Sequence, residues 1–193
     1  MIVGDPNIFA IESEISCAYE RLSLRAMGYF VIHVMGRFYG VKSKDATMLA
    51  NSFDEIGRRI TARGRHKAAF AEEPDAREIA TTMRRALYIE SEEGELFFGT
   101  SLPQFRDAVH SDHLLWAPDG DEAFDDGSYV MQFDVGDKVR LIAFTCSDDS
   151  LCDPESLRDA WLAADGFYGI LQDWHERFET EWASLPKVPE STL

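Results

Sequence analysis

Residues 128–146, SYVMQFDVGDKVRLIAFTC, decide the fold that we predict for this chain. They contain two largely apolar runs that meet at Gly136-Asp137, and glycine at the first central position suits a type II′ turn because it tolerates positive φ. This turn sets the register of an antiparallel hairpin, in which directly opposed residues share one face. Four opposed pairs then lie on the same face: Val135 and Lys138, Phe133 and Arg140, Met131 and Ile142, and Tyr129 and Phe144. We expect helices to cover the apolar part of this face.

The composition of the chain fits a single globular domain. Its 193 residues are 45% hydrophobic and 12% aromatic, which is enough for an apolar core. We therefore predict one α+β domain over residues 1–193, with a loose tail over about 186–193. A mainly antiparallel sheet is expected, centred on the 128–146 hairpin and covered by about four helices.

Residue periodicity predicts the other elements of the fold. Runs rich in β-branched and aromatic residues predict strands, and apolar residues spaced three and four apart predict helices. The predicted strands are 8–17, 27–38 and 95–100, and the predicted helices are 46–62, 75–89, 154–164 and 167–185, with a single helical turn at 104–109. The last helix has the clearest apolar stripe, so we expect it to pack on the hairpin and to bury Trp174 and Phe178.

The charge of the chain argues against several classes of partner. A formal net charge of −16 opposes nucleic-acid binding, because every phosphate contact would begin against repulsion. No stretch approaches the ~18–20 apolar residues of a membrane span, and the first residues lack the basic and apolar regions of a signal peptide. We therefore expect a cytoplasmic protein without nucleic-acid or membrane contacts. Its three cysteines, Cys17, Cys146 and Cys152, are expected to be reduced thiols.

The motifs of common active sites do not occur in the sequence, which contains no GxSxG, P-loop, HExxH or GxGxxG. His110 and His113 have the spacing of two ligands on one helical face, and the aspartates near residue 120 resemble a calcium loop, but neither set completes a metal site. We therefore expect no metal, no cofactor and no enzymatic activity. An open alternative is an enzyme or ligand-binding protein whose site assembles only in three dimensions, with His33, Cys17 and the hairpin acids as candidates.

Arg140 needs a physical explanation. The predicted register places its charge on the apolar face of a central strand, where burial is costly unless the charge is paired. One interpretation makes Arg140 a partner-binding residue. The interpretation that we prefer makes it a structural residue near the sheet edge, with a buried stem and a guanidinium group paired to an acid.

An acidic stretch leads into the hairpin and extends to its turn. Nine acids and no lysine or arginine occur between residues 107 and 137, and residues 118–127 have the composition of an exposed loop. Protein interfaces commonly combine a few aromatic anchors with surrounding charges. We therefore predict a partner-binding surface made of Asp119, Asp121, Glu122, Asp125 and Asp126, with Trp116 and Phe124 as apolar anchors. A solvated loop without a partner is the open alternative.

Short segments of the chain resemble a known family. The opening MIVGDPNIFAIESEI has a Met-Ile-x-Gly-Asp-Pro start that runs into a strand, and residues 138–142, KVRLI, form a strand with an Arg-Leu-Ile core. Both segments are similar to the immunity protein 42 family of bacterial polymorphic toxin systems. Residues 101–107, SLPQFRD, resemble a Ser-Pro…Asp segment of that family more loosely.

The resemblance implies a non-enzymatic α+β protein of the cytoplasm that binds and neutralises a toxin domain delivered by a neighbouring cell. The acidic charge independently favours a basic partner, such as a toxin that must approach phosphate. A further open alternative is a DNA mimic, whose carboxylates would occupy the nucleic-acid grooves of several unrelated DNA-binding proteins. The sequence does not indicate the oligomeric state or name the toxin.

Overall fold

The computed structural model describes residues 1–88, 94–116, 122–146 and 152–188, and it contains two main β-sheets. The larger sheet is built from β1 (Ile2–Asp5), β2 (Phe9–Tyr19), β3 (Ala26–Val34), β4 (Arg37–Tyr39), β5 (Thr47–Met48) and β11 (Lys187–Val188). Its central order is β1-β2-β3-β4, with β5 beside β3 and β11 beside β2. Every pair is antiparallel except the pair of β2 and β11. The N-terminal half of the chain therefore supplies most of this sheet.

The smaller sheet contains the predicted hairpin. Its strands are β8 (Ser128–Val135), β9 (Lys138–Thr145) and β10 (Arg158–Ala163), in the order β10-β9-β8. The predicted register is confirmed, because Val135 lies opposite Lys138 and Phe133 lies opposite Arg140. The N-terminal strands pair with one another in the six-stranded sheet. The hairpin therefore belongs to a separate three-stranded sheet.

Four α-helices lie in the described part of the chain: α1 (Ala50–Thr61), α2 (Ala76–Tyr88), α3 (Leu102–Ser111) and α4 (Ala164–Ser184). The predicted α+β class is therefore confirmed. The turn predicted at 104–109 is a full helix, and the Ser101 amide, which donates to Gln104 Oε1 at 3.1 Å, caps its start. Within the described residues, no helix is both long enough and apolar enough to cross a membrane.

Three of the predicted elements need correction. Residues 154–164 are not a helix, because Arg158–Ala163 forms β10 and supplies hydrogen bonds to the open edge of β9. Residues 27–38 are two strands, since Met35 and Gly36 take φ values of 49° and 80° and reverse the chain. Residues 95–100 also include a turn, between β6 (Leu96–Phe97) and β7 (Thr100–Ser101). In each case a chain reversal or pairing with another strand, and not the local spacing of apolar residues, determines the secondary structure.

The two faces of the hairpin belong to two apolar cores. The face with Met131, Phe133, Ile142 and Phe144 packs against α2 and α3, as expected. The opposite face joins a core that also contains α1, α4 and one face of the six-stranded sheet. Because α4 packs on this second face, it contacts both sheets instead of covering the Phe133 face.

Helix α4 buries both of the aromatic residues predicted from its stripe. Trp174 and Phe178 are fully buried. The indole Nε1 of Trp174 donates to Ser13 Oγ of β2 at 3.0 Å, and the Trp174 ring lies 5.2 Å from the ring of Phe30 in β3. The aromatic stripe of α4 therefore fastens the helix to the six-stranded sheet.

Candidate functional site

Arg140 lies on the middle strand of the three-stranded sheet, and its charge is paired. The guanidinium Nε and Nη2 donate to the two carboxylate oxygens of Asp159 at 2.9 and 2.8 Å. Nη1 donates to the carbonyls of Ala71 and Glu73 at 2.9 and 2.6 Å. Only 1% of the residue is exposed. These contacts favour the structural interpretation, but the expected position near the sheet edge is wrong because β10 lies beyond β9.

A second buried arginine, Arg59, holds α1 against β8, and the sequence analysis did not single it out. Its Nη1 donates to Gln132 Oε1 at 3.0 Å, and its Nη2 donates to the Leu115 carbonyl at 2.8 Å. Its Nε lies 2.8 Å from Glu55 Oε1. Burial lowers the pKa of Arg59 to about 10, although Glu55 favours the charged form. The Glu55–Arg59 spacing of four within a helix was the sequence signal for this pair.

A chain of hydrogen bonds continues from Gln132 to the loop after α1. Gln132 Nε2 donates to Tyr168 OH at 2.9 Å, and Tyr168 OH donates to Asp134 Oδ1 at 2.8 Å. Asp134 Oδ2 accepts the amides of Gly64 and His66 at 2.7 and 3.2 Å. Burial and the Asp134 carboxylate raise the pKa of Tyr168. Asp134, one of the hairpin acids considered for catalysis, is therefore a structural acceptor.

The other candidates for a hidden catalytic site are not assembled. Cys17 lies opposite Met27, whereas His33 is six residues further along β3, which separates the two by about 20 Å along the sheet. His113 lines a cavity of about 340 Å³ together with Glu55, Arg58 and His66, and His110 is not among the lining residues. Among the described residues, no group of three His, Cys, Asp or Glu side chains could hold a metal ion.

Trp116 and Phe124, the predicted apolar anchors, are core residues. Their exposed fractions are 2% and 9%, and the rings of both lie 6.4 Å from the ring of Phe30. The Arg59 guanidinium also lies over the Trp116 ring at 4.2 Å. The prediction that they present exposed anchors is therefore wrong, because both rings fill the core between the two sheets.

The acids of the predicted surface divide into two groups. Glu122, Asp125 and Asp126 flank a short 3-10 helix (Glu122–Phe124) and are exposed, and we call these three residues the acidic turn. Asp126 Oδ1 also accepts the Ser128 amide at 3.0 Å, which starts β8. Asp119 and Asp121 lie outside the described residues. Three of the five acids predicted to bind a partner are therefore exposed to solvent in the described part of the chain.

The six-stranded sheet turns one face away from α1 and α4, and we call it the outer face. The strand register assigns to it Ile2, Ala10, Glu12, Glu14, Tyr29, Val31, His33 and Phe38. The residues that alternate with these, such as Phe9, Ile11 and Phe30, belong to the core. Ile2 and Phe38 are 50% and 46% exposed. The outer face therefore presents two half-exposed apolar side chains, on β1 and β4, whereas Ala10 and Val31 within it are fully buried.

Glu12 is the buried centre of the outer face. Tyr29 OH donates to Glu12 Oε1 at 3.0 Å, Lys42 Nζ donates to Oε2 at 2.8 Å, and His33 Nε2 lies 2.9 Å from Oε2. Burial alone would raise the pKa of Glu12, but the hydrogen bonds from Lys42, His33 and Tyr29 outweigh it and lower that pKa below 4.5. Burial and this carboxylate raise the pKa of Tyr29 to about 12. A carboxylate thus orders three polar side chains on this face.

The acidic turn is joined directly to the outer face. The Val41 amide donates to the Ala123 carbonyl at 2.7 Å, and the next residue, Lys42, reaches Glu12. Gly40 allows this close approach, because its φ is +115° and a Cβ there would lie 2.8 Å from Ala123 O and 3.4 Å from Val31 Cγ1. The acidic turn is therefore hydrogen-bonded to the segment whose Lys42 contacts Glu12 of the outer face.

The sequence of the chain matches a known protein family. The model of the immunity protein 42 family matches residues 1–177. The chain belongs to the immunity protein 42 family. As a member, it is an immunity protein that neutralises a cognate toxin. The resemblance seen in the opening segment and in the Arg140 strand is therefore confirmed.

A solved structure shares the fold of this immunity protein. The crystal structure of CdiI from Burkholderia dolosa AUO158 aligns with a TM-score of 0.55, over 92% of this chain and 99% of that chain, at 17% sequence identity. At this identity the likeness concerns the fold alone. No curated protein matches the sequence significantly.

Proposed function

We propose that this immunity protein neutralises a basic toxin domain in the cytoplasm by stoichiometric binding, without catalysis. The toxin is held on the surface formed by the outer face and the acidic turn. The observation that carries this proposal is the 2.7 Å hydrogen bond from Val41 N to Ala123 O, which ties the acidic turn to the segment whose Lys42 contacts Glu12 of the outer face.

Charge supports a basic partner. The chain carries a net charge of −16, and no lysine or arginine occurs between residues 107 and 137. Glu122, Asp125 and Asp126 are exposed, and Ala123 among them accepts the hydrogen bond from Val41. Complementary charge accelerates association and discriminates among partners. A toxin that acts on nucleic acid fits this surface, since it must carry positive charge to approach phosphate.

Phe38 and Ile2 take the anchoring role that was first given to Trp116 and Phe124. Each is about half exposed on a strand whose backbone is held by neighbouring strands. The Phe38 ring lies 6.1 Å from the His33 ring and 5.6 Å from Lys42 Nζ, so polar groups surround it. An aromatic side chain with a polar rim on a rigid support is the usual composition of an interface hot spot.

The test measures association and dissociation rates with the toxin domain encoded beside this gene, at low salt and at about 0.5 M salt. The variant Glu122→Gln/Asp125→Asn/Asp126→Asn is expected to associate about tenfold more slowly at low salt and to lose much of the salt dependence. A matched control, Asp54→Asn/Glu176→Gln/Glu179→Gln, removes the same charge from exposed positions on α1 and α4. It is expected to change the rate far less.

Equal slowing in both triple variants would show that only the net charge matters. Unchanged rates in the first variant would remove the acidic turn from the interface. A titration of toxin activity provides the second part of the test, because stoichiometric inhibition reaches its end point at one equivalent. Inhibition at a small fraction of an equivalent would instead indicate catalysis. Inhibition of unrelated DNA-binding proteins as well would indicate a DNA mimic.

A further inference from the structure

Cys146 and Cys152 lie side by side at the end of the three-stranded sheet that is remote from the hairpin turn. Both are buried, and both belong to the core formed with α2 and α3. Only five residues, 147–151, separate them in the sequence. The two thiols are close enough for each to shift the pKa of the other. An odd cysteine count without a CxxC motif gave no indication of this pairing.

The described residues that adjoin the two cysteines, Thr145 and Asp153, are hydrogen-bonded to each other. The Asp153 amide donates to the Thr145 carbonyl at 2.9 Å, and the Thr145 amide donates to Ser156 Oγ at 2.8 Å. Residues 145 and 153 are thus neighbours, and Cys146 and Cys152 are the residues next to them in the chain. Disulfides span Cα distances of about 4.4–6.8 Å, which is the range expected for two residues that each adjoin such a hydrogen-bonded pair.

Arg84 of α2 lies beside the pair. It contacts Cys146, and its Nη1 lies 3.5 Å from Tyr129 OH. The hydrogen bond from Cys152, together with the Arg84 charge, outweighs burial and lowers the pKa of Cys146. The same contact raises the pKa of Cys152. One sulfur is therefore favoured as the thiolate, and its neighbour retains its proton.

We propose that Cys146 and Cys152 are a redox-modified pair that hydrogen peroxide converts reversibly into a disulfide. The Cys146 thiolate attacks the O–O bond, which leaves a sulfenic acid and releases hydroxide that becomes water on protonation. Cys152 then attacks the sulfenic sulfur as its thiol proton is removed, and the sulfenic oxygen leaves as a second water. Overall, two thiols and one peroxide give one disulfide and two waters.

The proposal of a redox-modified pair does not rest on the proposed toxin-binding surface, although the two cysteines lie close to that surface. The Cys146 amide donates to the Gly127 carbonyl at 2.9 Å, and Gly127 follows Asp126 of the acidic turn. A disulfide here cross-links the end of β9 to the segment that leads into β10. Closing this short ring restricts the unfolded chain and raises the melting temperature by about 5 °C.

The test treats the purified, reduced protein with hydrogen peroxide and then alkylates the remaining thiols. Trypsin should release residues 141–158 as one peptide, which contains both cysteines and lacks Cys17. The expected result is a peptide about 2 Da lighter, not alkylated, and restored to two alkylated sites by dithiothreitol. The Cys17→Ser variant should behave identically. The variants Cys146→Ala and Cys152→Ala should each leave no disulfide in this peptide.

Arg84 supplies a second measurement. Arg84→Gln should slow disulfide formation about fivefold, whereas Arg84→Lys should retain most of the rate because it keeps the charge. Two independently alkylated cysteines after peroxide treatment would overturn the proposal, as would separate sulfinic or sulfonic products. Disulfide formation between two chains through Cys17 would overturn it too.

Discussion

Arg140 and Glu12 each centre a cluster of polar groups on a β-sheet, but different parts of the molecule lie above them. The carbonyls of Ala71 and Glu73 close over Arg140, which is 1% exposed. The side chains of Tyr29, Lys42 and His33 surround Glu12, and its neighbours on the outer face include the half-exposed Phe38. A charged group beneath another segment of the chain stabilises the fold. A charged group that orders side chains beside an exposed aromatic ring can support recognition, and this contrast is testable.

The largest expected effect is in the Arg140 cluster. Arg140→Ala leaves the partly exposed Asp159 without its charged partner and removes the donor to the Ala71 and Glu73 carbonyls. Because the charge that remains is partly solvated, we expect a destabilisation of about 2–3 kcal/mol. Urea unfolding measures this difference. Toxin affinity of the folded variant should be unchanged, and a variant of normal stability with weakened affinity would restore the partner-binding interpretation of Arg140.

Phe38 and Trp161 allow a direct comparison of the two clusters, because each is an exposed aromatic residue, Phe38 near Glu12 and Trp161 near Arg140. Their exposed fractions are 46% and 45%, and Trp161 lies 5.1 Å from the Arg140 guanidinium. Phe38→Ala should weaken toxin binding by about 2 kcal/mol, or roughly thirtyfold in Kd. Trp161→Ala should change Kd less than about twofold, because Trp161 lies on β10, and β9 separates β10 from β8 and the acidic turn. Calorimetric titration measures Kd for both variants. A larger loss of affinity in Trp161→Ala than in Phe38→Ala would indicate that the toxin binds the three-stranded sheet.

The smallest expected effect concerns the stability contributed by Glu12. Glu12→Gln weakens three hydrogen bonds to a partly screened carboxylate, and we expect a loss of about 1 kcal/mol at pH 7. The pKa of Glu12 is lower in the folded protein than its ordinary value of 4.5. Its contribution to stability is therefore fully present above pH 4.5 and is lost as the pH falls through the lower folded pKa.

The pH dependence is measured as the difference in unfolding free energy between wild type and Glu12→Gln. This difference should be constant from pH 7 to about pH 5 and should shrink below about pH 4.5, because protonation weakens the same hydrogen bonds in the wild type. Comparing the two proteins cancels the titration of the other carboxylates. A difference that persists unchanged at about pH 3 would mean that the ionised carboxylate contributes nothing.

Several features of the site could not be predicted because their partners lie far away in the chain. Phe124 is surrounded by acids in sequence, yet it packs on Phe30, which is 94 residues away. The pairing of Arg140 with an acid was predicted from the rule that buried charges are paired. That β10 lies beside β9 and supplies this acid was not predicted, because the residue pattern indicated a helix over 154–164.

Sequence alone determined the β8–β9 register, the apolar stripe of α4 and the α+β class. These features follow from backbone geometry, since a strand alternates its side chains, a helix repeats every 3.6 residues and a two-residue turn sets the pairing. Tertiary structure alone decided which face of each sheet is covered, that Trp116 fills the core, and that Cys146 meets Cys152. These outcomes depend on which distant segments pack together, because burial is set by the whole arrangement of strands and helices and not by any local pattern of residues.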